Sequence, residues 1–186
     1  MPDAGAQIAS PPVQALARWA SGDGDAAKRP FAVVDKPAAR IFVFAADGRL
    51  VASAPVLLGL ARGDMSAPGV GNRVLSGIPV HERTTPAGRF NSEPGRNLQG
   101  EAVVWVDYHA AVAIHRLRPA AAKERRPQRL ASPTADDNRI TLGCIVVDAV
   151  FYDGVVAPLL GRGRGVVYVL PDTQDWRDLF RDAAGL

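Results

Sequence analysis

One cysteine and three histidines carry most of the nucleophilic and proton-transfer chemistry available to this chain. Cys144 stands in Thr141-Leu142-Gly143-Cys144-Ile145, at the end of a β-like run and just before a segment read as a helix. A thiolate is the nucleophile, and it is populated at neutral pH only beside a cation or a helix N-terminus. Gly143 leaves room for a carbonyl to approach the backbone, and N–H groups at such a turn can receive an oxyanion. On these features alone an inert core cysteine is the commoner outcome and a reactive thiol the alternative. His115 closes the alternating run Val112-Ala113-Ile114-His115, at a strand end where a loop begins. His81 falls in a Gly/Pro-rich loop and His109 in a turn, both read as solvated. The three lack ligand spacing, and neither a metal nor a cofactor is implied.

The elements that must position these groups are mainly β. Val13, Leu16, Ala17 and Ala20 follow helical spacing after a loose leader over residues 1–12. Strands are expected at Phe31–Val34, Arg40–Phe44 and Leu50–Leu58, the last two joined by the turn Ala46-Asp47-Gly48-Arg49. Gly59–Glu82 is crowded with Gly and Pro and reads as a long loop with one short strand near Val74–Ile78. A second hairpin is expected from Ala102–Val106 and Ala111–His115, then a surface excursion over Arg116–Arg139. Ile140–Val147 returns to apolar, β-branched residues. Asp148 can cap a helix carrying Val150, Phe151, Val155, Leu159 and Leu160, and Gly165–Leu170 and Trp176–Ala184 read as a final strand and a short helix.

Composition narrows the function classes. A length of 186 residues with 47% hydrophobic content suits one ordinary domain. The net charge of +3 is spread through the chain apart from Lys123, Arg125, Arg126 and Arg129, which reads as a solvated loop and excludes a nucleic-acid partner. A single cysteine excludes an internal disulfide. No stretch reaches the ~20 apolar residues of a membrane span.

Ala113-Ile114-His115 followed by Thr141-Leu142-Gly143-Cys144-Ile145-Val146 resembles the signature of the YkuD-type L,D-transpeptidase catalytic domain, a His on a strand and then Ser/Thr-His-Gly-Cys. Thr85-Pro86-Ala87-Gly88-Arg89-Phe90 resembles the Thr-Pro-x-Gly-x-Phe segment the family carries upstream. Val34-Asp35-Lys36, Arg40–Phe44 and Asp47-Gly48-Arg49-Leu50 resemble its opening hairpin. The resemblance implies a YkuD-like β-sandwich with a helix after the catalytic cysteine and a short C-terminal helix. The divisions it implies are residues 1–30 as leader and helix, 31–172 as catalytic domain and 173–186 as terminal helix.

It also implies a reaction. Cys144 attacks the carbonyl of meso-diaminopimelate in a peptidoglycan stem tetrapeptide, His115 is the base, and the Gly143 and Cys144 backbone N–H groups are the oxyanion donors. The terminal D-alanine leaves, and an amine of a second stem resolves the acyl-enzyme. Peptidoglycan stem peptides are then the partners, in the periplasm or cell envelope, with an export signal expected outside the given residues. Two positions depart from the pattern: Leu142 stands for the usual His and Val146 for an Arg, and Cys144 lies 29 residues beyond His115. Asn138, Arg139 and Thr141 are the expected substrate-side polar replacements. The same Cys–His chemistry allows an L,D-carboxypeptidase or hydrolase, and the departures allow a non-catalytic binding module.

Overall fold

The computed structural model describes residues 9–22 and 25–185. Helix α1 (Pro11–Ser21) begins with proline at its first turn, where a missing N–H costs nothing, and buries Val13, Leu16 and Ala20. Strands β1 (Phe31–Asp35), β2 (Arg40–Phe44) and β3 (Leu50–Pro55) form an antiparallel meander. The expected strand 50–58 breaks after Pro55, and β4 (Leu58–Gly59) turns away to pair in parallel with β8 (Arg139–Thr141).

Strand β5 (Gly88–Arg96) was not expected from its sequence. It is followed by β6 (Ala102–Asp107) and β7 (Val112–Arg116), close to their expected spans. The short strand expected near Val74–Ile78 is instead a 3-10 turn at Leu75–Gly77, because Gly77 and Pro79 interrupt any period-2 pattern. The excursion after His115 contains α2 (Arg126–Leu130). The apolar run 140–147 splits into β8 and β9 (Ile145–Val147), which belong to different sheets.

Asp148 caps the next helix, α3 (Ala149–Phe151), its Oδ1 accepting the Val150 and Phe151 N–H groups at 2.8 and 3.4 Å. The helix continues through a π turn (Tyr152–Val156) into α4 (Ala157–Leu159). Pro158 has no N–H to give the preceding turn, and the wider turn accommodates that loss. Strand β10 (Gly165–Val169) follows, then α5 (Trp176–Leu179) and α6 (Arg181–Ala184), a break at Phe180 dividing the expected terminal helix.

The large sheet has the order β3-β2-β1-β10-β5-β6-β7-β9 and is mixed, with β1/β10 and β7/β9 parallel. Residues from both ends of it, Val34, Ile41 and Val43 with Val104, Ile114, Ile145 and Val147, join one core cluster together with Phe151, Tyr152, Val156 and Leu160. The sheet therefore curls around that core. A second core lies on the other face of β1, β2 and β10, where α1 and Phe180 cover Phe31, Val33, Phe42, Phe44 and Tyr168.

Candidate active site

Strand pairing sets the end of β7, with His115, beside β9, which begins directly after Cys144. In the parallel pair β7/β9, Ile114 is opposite Ile145 and His115 opposite Val146. Ile114, Ile145 and Val147 point into the main core, whereas Val146 packs on the other side with Leu57 and Leu130. Period-2 alternation then puts His115 on that second side with Val146. Cys144 directly precedes β9, one residue before Ile145, the strand partner of Ile114.

His115 is 7% exposed, and its Nδ1 lies 2.8 Å from the Arg116 carbonyl oxygen. A carbonyl only accepts, so the neutral ring carries its proton on Nδ1 and leaves Nε2 as a proton acceptor. This carbonyl is the orienting partner that could not be read in the sequence. Burial pushes the His115 pKa down to about 4, with the charges of Arg118 and Arg126 adding to the shift and the Arg116 bond and Glu101 opposing it. The imidazole is neutral at pH 7 and competent as a base.

Cys144 is half-buried. Its thiol donates to the Ala111 carbonyl at 3.5 Å, and the Ala113 backbone N–H bonds the sulfur. Burial pushes the thiol pKa up, against the Ala113 bond and the charge of Arg118. The helix N-terminus expected to favour the thiolate is not at the cysteine, since β9 separates Cys144 from the Asp148 cap. Cys144 and His115 thus form a neutral thiol and a neutral imidazole.

Two buried threonines fix the segment before the nucleophile. Thr141 Oγ1 accepts the Gly143 N–H at 3.1 Å and donates to the Cys144 carbonyl at 2.7 Å. Thr85 Oγ1 accepts the Gly59 N–H at 2.9 Å and donates to the Gly143 carbonyl at 2.8 Å. Gly143 adopts φ +141, and a Cβ there would sit 2.8 Å from the Thr84 carbonyl oxygen, so no other residue fits. Two expectations are corrected here. The Gly143 N–H is committed to Thr141 and is not a free oxyanion donor, and Thr141 spends its hydroxyl on the backbone rather than on a substrate.

Asn138 and Arg139 are also corrected. Asn138 Nδ2 donates to the Val56 carbonyl at 2.9 Å. Arg139, 6% exposed, grips Asp172 with two bonds of 2.9 and 2.7 Å and reaches the Lys36 carbonyl at 3.0 Å. Both hold the fold. Val146 is 1% exposed in an apolar cluster, which is why an arginine is not accommodated there.

Sequence reasoning missed the charge cluster beneath the site. Lys36 is fully buried, its Nζ donating to Gly63 O, Thr85 O and Asp64 Oδ1 at 2.6, 2.7 and 2.9 Å, with Asp172 at 3.4 Å. Its one signal was an unusual Asp35-Lys36 directly after an apolar strand. Asp64 accepts further bonds from the backbone N–H groups of Asp172, Thr173 and Gln174. Burial alone would raise the Asp64 pKa, but the Thr173 hydroxyl, the Asp172 N–H, Lys36 and the Thr173 N–H hold it well below the usual carboxylate range. A cavity of about 430 Å³ lined by Asp35, Pro37, Leu170 and Trp176 shares no residue with the Cys144 neighbourhood. Among the described residues no helix is long and apolar enough to cross a membrane, and no three His, Cys, Asp or Glu side chains gather in a metal-binding group.

No family model and no curated protein matches the sequence. Solved structures do. The helical cell shape determining protein Pgp2 from Campylobacter jejuni aligns with TM-score 0.52 at 16% identity, over 78% of this chain and 49% of that one. An L,D-transpeptidase from Mycobacterium smegmatis aligns with TM-score 0.43 at 17% identity, over 76% and 58%. L,D-transpeptidase 1 of Mycobacterium tuberculosis gives 0.39 and 18%, over 79% and 62%. This chain spans about half to three-fifths of the length of those structures. At such identities the likeness is one of fold, and the Pgp2 alignment, at TM-score 0.52, bears on it. The chain shares a fold with Pgp2 over 78% of its length, a mainly β architecture built on a large mixed sheet with a few short helices.

Proposed function

We propose that this protein is a cysteine acyltransferase of the L,D-transpeptidase kind, acting on peptidoglycan stem peptides outside the cytoplasmic membrane. The observation that carries the reading is that Cys144 directly precedes β9, the strand paired in parallel with the β7 strand that carries His115, and that the His115 Nδ1 bond leaves Nε2 to accept a proton. The Thr-Pro-x-Gly-x-Phe segment supports it, because its Thr85 is bonded to the residue before the cysteine.

In this reaction the Cys144 proton passes to His115 Nε2 as sulfur bonds to the carbonyl carbon of the third stem residue. The carbonyl oxygen becomes an oxyanion and takes a bond from the Cys144 backbone N–H. The C–N bond to the terminal D-alanine breaks, and the imidazolium proton goes to the leaving amine. A side-chain amine of a second stem then attacks the thioester, giving a 3→3 cross-link and restoring the thiol. Water in place of the amine gives the tripeptide.

The test is incubation with a purified disaccharide tetrapeptide and mass analysis of the products. A cross-linked dimer with loss of one D-alanine is expected. Tripeptide alone makes the protein a carboxypeptidase. A second reading, a non-catalytic wall-binding module, is favoured by one observation: the thiol is neutral and its S–H faces Ala111. Retained affinity for peptidoglycan with no product of either kind would establish it.

A further inference from the structure

We propose that Thr85 is a positioning residue that aims and strengthens the oxyanion donor of Cys144 through the Gly143–Cys144 peptide, an inference that rests on the acyl-transfer reading above. Residues 143 and 144 together carry four backbone polar groups. Threonine hydroxyls hold three of them: Thr141 takes the Gly143 N–H and the Cys144 carbonyl, and Thr85 takes the Gly143 carbonyl. The fourth, the Cys144 N–H, makes no loop or turn hydrogen bond among the described residues.

A trans peptide is planar, so its C=O and N–H point in opposite directions. Pinning the Gly143 carbonyl to Thr85 on the buried side turns the Cys144 N–H the other way, out of the contact with Thr85. Rotation of this peptide would break the Thr85 bond. The direction of the donor is therefore fixed before any substrate arrives, which is what an oxyanion site requires.

The same bonds polarise the donor. Gly59 N–H donates to Thr85 Oγ1, Thr85 O–H donates to Gly143 O, and the Gly143–Cys144 peptide presents its N–H. Hydrogen bonds in such a chain strengthen one another in a low-dielectric interior. Lys36 Nζ anchors the Thr85 carbonyl at 2.7 Å and keeps the chain in place from beneath. The relay has no part in making the thiolate; it acts only on a step that generates an oxyanion.

That separation defines the experiment. Meropenem acylates a thiol through a tetrahedral oxyanion, with the β-lactam C–N bond breaking and its nitrogen taking a proton. Iodoacetamide alkylates the same sulfur by displacing iodide, with no oxyanion. In Thr85→Val the acylation rate should fall about 10-fold or more, while alkylation of Cys144 changes less than about 2-fold; Thr85→Ser should restore acylation. Equal acylation in Thr85→Val and the wild type overturns the relay and leaves the acyl-transfer reading standing. A parallel fall in both reactions makes Thr85 merely structural and also overturns it. A wild type that alkylates but never acylates removes the acyl-transfer reading, and the relay with it. A second measurement needs no variant: by amide hydrogen exchange in the wild type, Gly59 and Gly143 should be protected and Cys144 fast. A protected Cys144 amide would contradict the relay.

Discussion

Arg139 and Asp172 meet as a two-pronged ion pair beneath the nucleophile loop, through bonds of 2.9 and 2.7 Å. Asp172 also faces Lys36 at 3.4 Å. Burial would raise the Asp172 pKa, but the Arg139 bonds, the two positive charges and the Gly63 N–H hold it below the usual carboxylate range. Arg139→Ala leaves a buried carboxylate short of a partner, which costs about 3–5 kcal/mol. The expected result in urea unfolding is a loss of that order, with acylation per folded molecule changed only a few-fold. Unchanged stability with a loss of acylation above about 10-fold would return Arg139 to the substrate.

His115 links the site to pH. Its pKa is about 4 in the fold against the ordinary 6.5, so between those values the unfolded chain binds more protons and stability falls as pH falls. The group's contribution is complete above pH 6.5 and lost on descending to about 4. A difference of that size corresponds to roughly 3 kcal/mol. Stability curves of the wild type and His115→Gln should converge in slope above pH 6.5 and diverge below it, the variant being flatter. The acid limb of wild-type acylation should likewise lie near pH 4; a limb near 6.5 would mean the ring is not buried as described.

Val146 tests why the chain departs from the family signature. It packs against Leu57 and Leu130 with its side chain out of water. Val146→Arg places a charge in that apolar cluster, so a destabilisation of several kcal/mol is expected. Thermal melting reads this directly. A variant that melts like the wild type and acylates faster would show the position to be open to substrate.

Much of the fold was legible because its strands announce themselves locally. β1, β2 and β10 are continuous apolar runs buried on both faces, and β7 ends in His115 as its alternation implies. β5 was not legible, and the pairing explains why. Its residues 88–92 pair with β10 and 93–96 with β6, so each half has only one neighbour. Pro94 and Gly95, which would disqualify a fully paired strand, are tolerated there. For the site, Cys144 and His115 could be named as candidate nucleophile and base from the motif and the strand end. The partners of Thr85 and Arg139 could not, because those bonds cross up to 103 residues of sequence and depend on how the strands are ordered. Polar residues near a cysteine read as substrate contacts until the fold shows that backbone and buried carboxylates have claimed them.

The central claim is that Cys144 becomes acylated with His115 as its base, and intact-mass measurement after incubation with meropenem tests it most directly. One covalent adduct per chain is expected for the wild type, none for Cys144→Ala, and an adduct forming about 100-fold or more slowly for His115→Gln. No wild-type adduct, or one that persists in Cys144→Ala, would contradict it.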